Sequence, residues 1–152
     1  MQNSQDILIT AKTIYGEARN QPLKGMIAVG FVIKNRAYFA SKGVHKALYG
    51  DGSFASVCKR PWQFSCWNSN DPNKSILDKL TFEDTKTNKV FSNCYNIAKS
   101  IAEGSSEFNN PVGNSTHYYA DYLDRLKMPP KWAKGLKPYI KIGNHTFYEN
   151  VP

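Results

Sequence analysis

The sequence predicts an α+β fold, with a mainly helical first half and an irregular second lobe of short strands. Apolar residues recur at helical spacing over 4–19, 23–39 and 83–104. From residue 105 onward, glycine, proline and aromatic residues dominate, which is typical of turns and short strands. The chain has 152 residues, the usual size of one domain, so we expect a single domain over 1–152.

The first predicted helix covers residues 4–19, with Ser4 placed to cap it. Glu17 follows Ile14 by three positions, so it leans toward the apolar face of this helix rather than toward water. Pro22 then interrupts the pattern and can open a second helix. The placement of one carboxylate near the apolar face, between a glycine and an alanine, needs an explanation.

The second predicted helix, 23–39, is apolar nearly all round, which is typical of a central helix. Residues 41–75 show little periodicity, and we expect loops with short strands there. The third predicted helix covers 83–104 and is closed by Gly104. Further on, the stretches "THYYADYL" and "IGNHTFYENV" are predicted to form short strands or ordered loops.

Glu17 is the first candidate catalytic residue. Burial of a carboxylate disfavours its charged form, so such a group can hold a proton near neutral pH. It can then donate that proton to a leaving oxygen, as the general acid of glycoside cleavage does. We expect Gly16 and Ala18 to leave room for a sugar chain. The alternative is a structural ion pair between Glu17 and Lys12 or Arg19.

Two stretches, "PWQFSCWN" (61–68) and "STHYYADY" (115–122), combine aromatic rings with short polar side chains. Aromatic faces stack on the C–H surfaces of sugars, while amide, hydroxyl and imidazole groups bind sugar hydroxyls. The structural alternative is a small core formed by Trp62, Phe64 and Trp67 beneath a loop. His117 likewise has two interpretations, a ligand-binding histidine or a structural one.

The formal net charge is +8, which favours polyanionic partners. The lysines are dispersed and form no RGG or zinc-finger pattern, so we expect no nucleic-acid partner. No apolar run has the length of a membrane span, and the first residues do not resemble a signal peptide. We therefore expect synthesis in the cytoplasm and no membrane span.

The three cysteines, Cys58, Cys66 and Cys94, include no C-x-x-C pair, so neither a disulfide framework nor a zinc site is indicated. They are predicted to be buried thiols, with a Cys58–Cys66 bridge after export as the alternative. A further alternative makes Cys66 the nucleophile and His117 the base of a cysteine amidase or endopeptidase.

Four stretches, taken together and in order, resemble a known family. "TIYGEARNQPLKGMIAVGFVIKNR" is similar to the opening of the spore-cortex-lytic cell wall hydrolases of the SleB/CwlJ type. "PWQFSCWN", "STHYYADYLDRLKMPPKWA" and "IGNHTFY" resemble their later segments. Gly30 departs from the pattern, since a larger residue is expected at that place.

The resemblance implies a lysozyme-like, lytic-transglycosylase-like fold and peptidoglycan glycan strands as the partner. It implies cleavage of the bond between N-acetylmuramic acid and N-acetylglucosamine, with Glu17 as the catalytic acid/base. The substrate-binding residues carried over from the motifs are Gln63, Phe64, Ser65, Trp67, His117, Tyr118 and Tyr119.

A lytic transglycosylase that forms 1,6-anhydro ends is the first expectation, and a lysozyme-like muramidase is the alternative. A muramidase would use Asp51 or Asp121 as a second carboxylate. Asn35 and Arg36 are expected to hold the helix junction beneath the site. We expect a monomer that acts on the bacterial cell wall without metal or cofactor, and a phage lysin fits these features.

Overall fold

The computed structural model describes residues 2–61 and 63–152 and confirms the α+β fold. Trp62, for which the sequence left open a sugar-binding role or a place in a small core, lies outside the described residues. The helices of the described residues are α1 (Ser4–Ala18), α2 (Leu23–Ser41), α3 (Lys46–Tyr49), α4 (Phe54–Lys59), α5 (Asn73–Lys79), α6 (Asp84–Thr87), α7 (Lys89–Ala102) and α8 (Tyr122–Arg125). Short 3-10 segments cover Ser65–Trp67 and Lys131–Ala133, and the strands are β1 (His117–Ala120), β2 (Ile140–Ile142) and β3 (His145–Tyr148).

The main core lies where α1 packs against α2, α4 and α7, and where α2 packs against α7. Gly30 explains how closely α2 approaches its neighbours. A Cβ atom at this position would lie 2.6 Å from Cδ1 of Ile101 and 3.2 Å from Cγ2 of Ile97. The glycine that departs from the family pattern therefore permits a close helix contact that any larger residue would obstruct.

Helix α1 begins as predicted, but its cap is Asn3 rather than Ser4. The Asn3 side chain accepts a hydrogen bond from the Asp6 N–H at 2.9 Å, and the Asp6 carboxylate accepts one from the Asn3 N–H at 3.0 Å. This reciprocal capping box satisfies two amide donors that the helix itself leaves unpaired. Ser4 consequently becomes the first residue of the helix.

The helix predicted over 83–104 is divided in two at Asn88. This residue has an extended backbone, and its side chain accepts a hydrogen bond from the Phe91 N–H at 3.1 Å. Asn88 thus caps α7, and α6 forms a separate turn before it. The predicted end is nearly right, since α7 ends at Ala102 and Gly104 follows with φ of +70°.

The expectation of loops with short strands over 41–75 is wrong. The described residues of this region form α3, α4, α5 and the 3-10 turn. In α4, the Ser53 side chain accepts a hydrogen bond from the Ser56 N–H at 3.2 Å and so caps the helix. Phe54, Val57 and Cys58 then face the core. Helices of four to seven residues are too short to establish a periodic pattern.

The two strand predictions near the end of the chain are confirmed. β3 lies between β1 and β2 in an antiparallel sheet, and Tyr118 of β1 pairs with Phe147 of β3. Gln21, at the junction of α1 and α2, accepts a hydrogen bond from the Asn144 N–H at 2.9 Å through its side-chain oxygen. This bond fixes the β2–β3 turn beside the end of α1, where Glu17 lies.

No helix in the described ranges is long and apolar enough to cross a membrane.

Candidate active site

Glu17 lies on the last turn of α1 and is held by two other parts of the chain. The Tyr118 hydroxyl of β1 donates a hydrogen bond to Oε1 of Glu17 at 2.6 Å. The backbone N–H of Cys66 donates to Oε2 at 3.2 Å. Each carboxylate oxygen therefore accepts a hydrogen bond from a different element, which fixes its orientation toward the open side of the helix.

Gly16 lines the open space beside Glu17, as the sequence suggested, and it also permits the close approach of a second segment. A Cβ atom at Gly16 would lie 2.7 Å from Cβ of Cys66 and 3.1 Å from Cδ1 of Leu77. Gly16 is therefore needed so that the segment carrying Cys66 can approach α1 closely enough to reach Glu17. Ala18 is fully buried in the core and leaves no room for a ligand.

A Gly16→Ala variant is expected to lower the free energy of unfolding by about 1–3 kcal/mol, the usual cost of overpacking a core contact. It should also lower activity, because the Cys66 N–H must move away from Glu17. Chemical denaturation and turnover of cell walls measure the two effects. Adding Cys66→Gly to Gly16→Ala should recover part of the lost stability, and an additive further loss would contradict this account.

A cavity of about 500 Å³ opens above Glu17. Its volume is in the ordinary range for ligand sites. Five of the residues predicted to bind substrate line it together with Glu17: Gln63, Ser65, His117, Tyr118 and Tyr119. Residues far apart in the chain are thus brought to one groove between the helical part and the sheet.

Phe64 and Trp67 do not line this cavity, in contrast to the prediction. Phe64 is only 2% exposed and packs under the guanidinium of Arg36, which lies 4.7 Å from the ring centroid. The Trp67 indole N–H donates to the Thr13 hydroxyl at 2.9 Å, and the Lys59 ammonium lies 4.6 Å from its ring. In this segment Gln63 and Ser65 face the groove, while Phe64 and Trp67 support the site from behind.

Arg36 forms part of the cavity wall although it is only 5% exposed. Its Nε donates to the Thr116 carbonyl at 2.7 Å, and the Asn35 amide donates to the carbonyls of Gly113 and Ser115 at 2.9 Å. These bonds attach α2 to the segment leading into β1. The two residues therefore hold α2 to the segment before β1 rather than to another helix, and Arg36 lines the cavity as well.

The guanidinium of Arg36 also brings positive charge to the site. Burial lowers its pKa, while the nearby ionisable groups of Tyr118, Tyr49 and Glu17 act in the opposite direction. Arg36 has no acidic ion-pair partner within the described ranges. The charge of Arg36 is therefore available to interact with negative charge in the groove.

His117 is held neutral by its surroundings. Burial lowers the pKa of its imidazole to about 4, and the positive charge of Arg36 adds to that effect. The ring lies 4.8 Å from that of Trp132, and Nδ1 is 2.9 Å from the Thr116 hydroxyl. A neutral imidazole suits hydrogen bonding to an uncharged sugar hydroxyl.

This pKa shift predicts how stability depends on pH. Because the folded-state pKa of His117, about 4, lies below the ordinary 6.5, the unfolded chain binds the extra proton first. The contribution of neutral His117 to the free energy of unfolding is complete above pH 6.5 and is lost as pH falls toward 4. Allowing for partial exposure, we expect a loss of about 2 kcal/mol in the free energy of unfolding.

Urea denaturation at a series of pH values tests this expectation, with His117→Gln as the comparison. The variant should lose less stability than the wild type over this range. Buried His145, whose pKa is also lowered by burial, contributes in the same direction and remains in both proteins. Identical pH profiles for the two proteins would show that His117 does not titrate as described.

His145 and Trp132 also line the cavity, although their local sequence surroundings carry no pattern typical of a binding site. His145 is 7% exposed, and its Nδ1 is buried without a hydrogen-bond partner among the described residues. Its ring lies 4.8 Å from that of Tyr118. Both residues belong to stretches that carry the family resemblance, and this was the only signal that could have identified them.

The cysteines are reduced and buried. Burial raises the pKa of the Cys66 thiol far above its ordinary value, and the negative charge of Glu17 raises it further. A nucleophilic cysteine needs the opposite conditions, an accessible thiol with a lowered pKa. The geometry therefore disfavours the cysteine amidase alternative, and no Cys58–Cys66 bridge is formed in the structure.

The two candidate second carboxylates differ in position. Asp51 belongs to an exposed loop, where hydrogen bonds from Ser56 and Ser53 lower its pKa to about 2, and it does not line the cavity. Asp121 lines an adjoining cavity together with Glu17. Desolvation would raise the Asp121 pKa, but hydrogen bonds from Lys141 and Arg125 outweigh it and lower the pKa.

A search of residues 2–61 and 63–152 for three or more clustered histidine, cysteine or acidic side chains finds no group that could hold a metal ion.

A helical core, a small sheet and a carboxylate at the floor of a groove lined by aromatic and polar side chains are typical of carbohydrate-cleaving enzymes. A profile of the cell wall hydrolase family matches residues 20–148, and the chain therefore belongs to this family. This result confirms the family resemblance found in the sequence motifs. The matched range begins three residues after Glu17, so the role of Glu17 depends on the opening motif and on the geometry described above.

Two solved structures share the fold. The catalytic domain of the germination-specific lytic transglycosylase SleB from Bacillus anthracis is 21% identical, with a TM-score of 0.62. The match covers 97% of this chain and 96% of that one. The catalytic domain of the Bacillus cereus SleB protein is 22% identical, with a TM-score of 0.67, covering 98% of this chain and 93% of that one. No curated protein matches the sequence.

Proposed function

We propose that this protein degrades peptidoglycan by cleaving the bond between N-acetylmuramic acid and N-acetylglucosamine, as a lytic transglycosylase that leaves 1,6-anhydro ends. The observation that carries the proposal is the Glu17 carboxylate, held by Tyr118 and the Cys66 N–H at the floor of a groove. Membership of the cell wall hydrolase family supports the substrate class. The fold shared with a lytic transglycosylase supports the type of reaction.

In the first step, Glu17 donates its proton to the glycosidic oxygen while the bond from that oxygen to C1 of the muramic acid breaks. The electron pair of this bond stays on the leaving oxygen, and Glu17 becomes a carboxylate. The Tyr118 hydroxyl and the Cys66 N–H are already aimed at the two oxygens on which the charge develops. Donors positioned in this way stabilise the transition state more than the protonated ground state.

In the second step, the Glu17 carboxylate takes the proton from the C6 hydroxyl of the same muramic acid. Its oxygen then bonds to C1 and closes the 1,6-anhydro ring. Glu17 is protonated again, so one carboxylate serves both steps and no water is consumed. Gln63, Ser65 and His117 line the cavity with polar groups suited to holding sugar hydroxyls during this exchange. The Tyr119 hydroxyl donates to Asp124 at 2.9 Å, so this residue contributes its ring to the cavity wall.

The muramidase alternative needs a second carboxylate to activate water or to act as a nucleophile. Asp121 is the candidate that shares a cavity with Glu17. Its two oxygens, however, bind Arg125 at 3.1 Å and Lys141 at 3.3 Å. A carboxylate occupied by two cations is a weak base, which favours the route through Glu17 alone.

The type of product decides between the two reactions. Purified peptidoglycan is digested, the products are reduced with borohydride, and the sugar ends are identified by mass spectrometry. Anhydro ends resist reduction, whereas reducing ends become alditols. We expect anhydro-muramic acid as the main product; alditol ends would indicate a hydrolase, and release of peptides alone would reject glycan cleavage.

A further inference from the structure

The groove does not end at the cavity above Glu17. A second cavity of about 480 Å³ adjoins the first, and Glu17, Tyr122 and His145 line both. Glu17 therefore lies at the junction of two compartments. A substrate that is cleaved at Glu17 has groups close to both of them.

The two compartments differ in chemistry. The first contains Trp132, His117 and Tyr119, whose rings provide stacking surfaces for sugars. The second has instead the guanidinium groups of Arg19 and Arg125. The amide side chains of Asn20, Gln21 and Asn144 also line it, together with Asp121, Tyr122 and His145. Guanidinium and amide groups are the usual partners of carboxylates and peptide groups rather than of sugar faces.

Arg19 is free to bind an anion. It is half-buried at the end of α1, with its guanidinium 5.4 Å from the ring centroid of Tyr15. Its Nη1 donates to the Tyr15 carbonyl at a long 3.4 Å. No acidic side chain in the described part of the chain forms an ion pair with it. Packing on Tyr15 positions the group, and the Tyr15 carbonyl is the one hydrogen-bond acceptor that it has among residues 2–61 and 63–152.

The remaining charges of this compartment also leave it positive. Asp121 is neutralised by Arg125 and Lys141, which bind it from α8 and β2. Glu17 is the other acid on the wall and is uncharged when it is ready to donate its proton. Arg19 and Arg125 line the compartment, and Lys141 helps to neutralise the Asp121 carboxylate, so an anion entering beside Arg19 is attracted.

We propose that the compartment around Arg19 and Arg125 binds carboxylates attached to the muramic acid next to the cleaved bond. This inference depends on the proposed function, because it assumes that Glu17 cleaves a peptidoglycan strand. Such carboxylates have two sources, the acidic stem peptide or, where the peptide is missing, the lactyl group of the sugar. Both present the same chemistry to a guanidinium.

Three substrates distinguish these sources. The first is glycan with intact stem peptides. The second is glycan from which an amidase has removed the peptides, which exposes the lactyl carboxylates. The third is glycan with intact stem peptides whose carboxyl groups have been converted to amides. KM and kcat are measured on each substrate for the wild type, Arg19→Gln and Arg19→Lys. Lys99→Gln is the matched control, because it removes one exposed positive charge on α7, outside both compartments.

We expect Arg19→Gln to raise KM about fivefold on carboxylate-bearing glycan without changing kcat. A fivefold change in KM corresponds to the loss of one partly exposed ion pair. Arg19→Lys should restore most of the affinity, and Lys99→Gln should behave like the wild type. On the amidated substrate, the KM of the wild type should rise to the value that Arg19→Gln shows on carboxylate-bearing glycan. A KM effect on the amidase-treated glycan alone identifies the lactyl source, and an effect on intact stem peptides alone identifies the peptide. An effect on both substrates shows that the compartment binds either carboxylate.

An unchanged KM for Arg19→Gln on both carboxylate-bearing substrates would overturn the inference. An equal rise in KM on the amidated substrate would also overturn it, since the effect would then be structural. Failure of the proposed function gives a different result, in which the wild type releases no sugar ends from any of the three substrates. The two failures are therefore separable in one experiment.

Discussion

Replacing Glu17 with glutamine is expected to lower kcat by at least about 10³-fold, because the amide can neither donate the proton nor take it back. Folding should be preserved, since glutamine has the same shape and can still accept the Cys66 N–H and hydrogen-bond with the Tyr118 hydroxyl. Loss of turbidity in a wall suspension measures the rate, and thermal unfolding checks the fold.

The matched control is Glu107→Gln, which makes the same chemical change at an exposed site outside the two compartments of the groove. This variant should retain wild-type activity. If Glu17→Gln kept most of its activity while Glu107→Gln also remained active, another residue would have to be the proton donor. The "TIYGEAR" segment would then be part of the scaffold alone.

The second large effect is expected for Tyr118→Phe. The variant removes the 2.6 Å hydrogen bond to Oε1 of Glu17 and keeps the ring in place. A hydrogen bond to a charged group contributes about 1.5–3 kcal/mol, so we expect kcat to fall by about 10–100-fold. The loss should appear in kcat rather than KM, because the bond strengthens as negative charge develops on Glu17.

Tyr15→Phe provides the control for this substitution. This variant also removes a hydrogen-bonded tyrosine hydroxyl, which accepts a hydrogen bond from the Asn88 amide at 3.2 Å. Tyr15, however, lies outside the two compartments of the groove. Urea denaturation compares the stability of the two variants, and Tyr15→Phe should keep the wild-type kcat. A Tyr118→Phe enzyme with unchanged kcat would show that the hydroxyl only fills space beside Glu17.

Much of the helical half could be predicted from the sequence. α1 and α2 are long, and their apolar residues repeat often enough to define both helices to within one or two residues. Glu17 stood out because it follows the apolar stripe of α1. Asn3 and Asn88 were missed as caps because a cap depends on the backbone conformation of a single residue, which spacing alone does not define.

The partners of Glu17 could not be derived from local pattern. Tyr118 is 101 residues away and Cys66 is 49 residues away, so only the tertiary fold brings them to the carboxylate. Gln63 and Phe64 show the same limit at short range, since neighbouring residues of one motif face the groove and the core respectively. That choice depends on how the segment packs against Gly16 and Arg36.

The measurement that tests the central claim most directly is the mass spectrum of sugar ends released by the wild type, Glu17→Gln and Asp121→Asn. A mechanism with one carboxylate predicts anhydro ends from the wild type and from Asp121→Asn, and almost none from Glu17→Gln. Thermal unfolding of each variant confirms that the compared proteins are folded. Reducing ends from the wild type, together with an Asp121→Asn variant as inactive as Glu17→Gln, would contradict the claim and establish a two-carboxylate hydrolase.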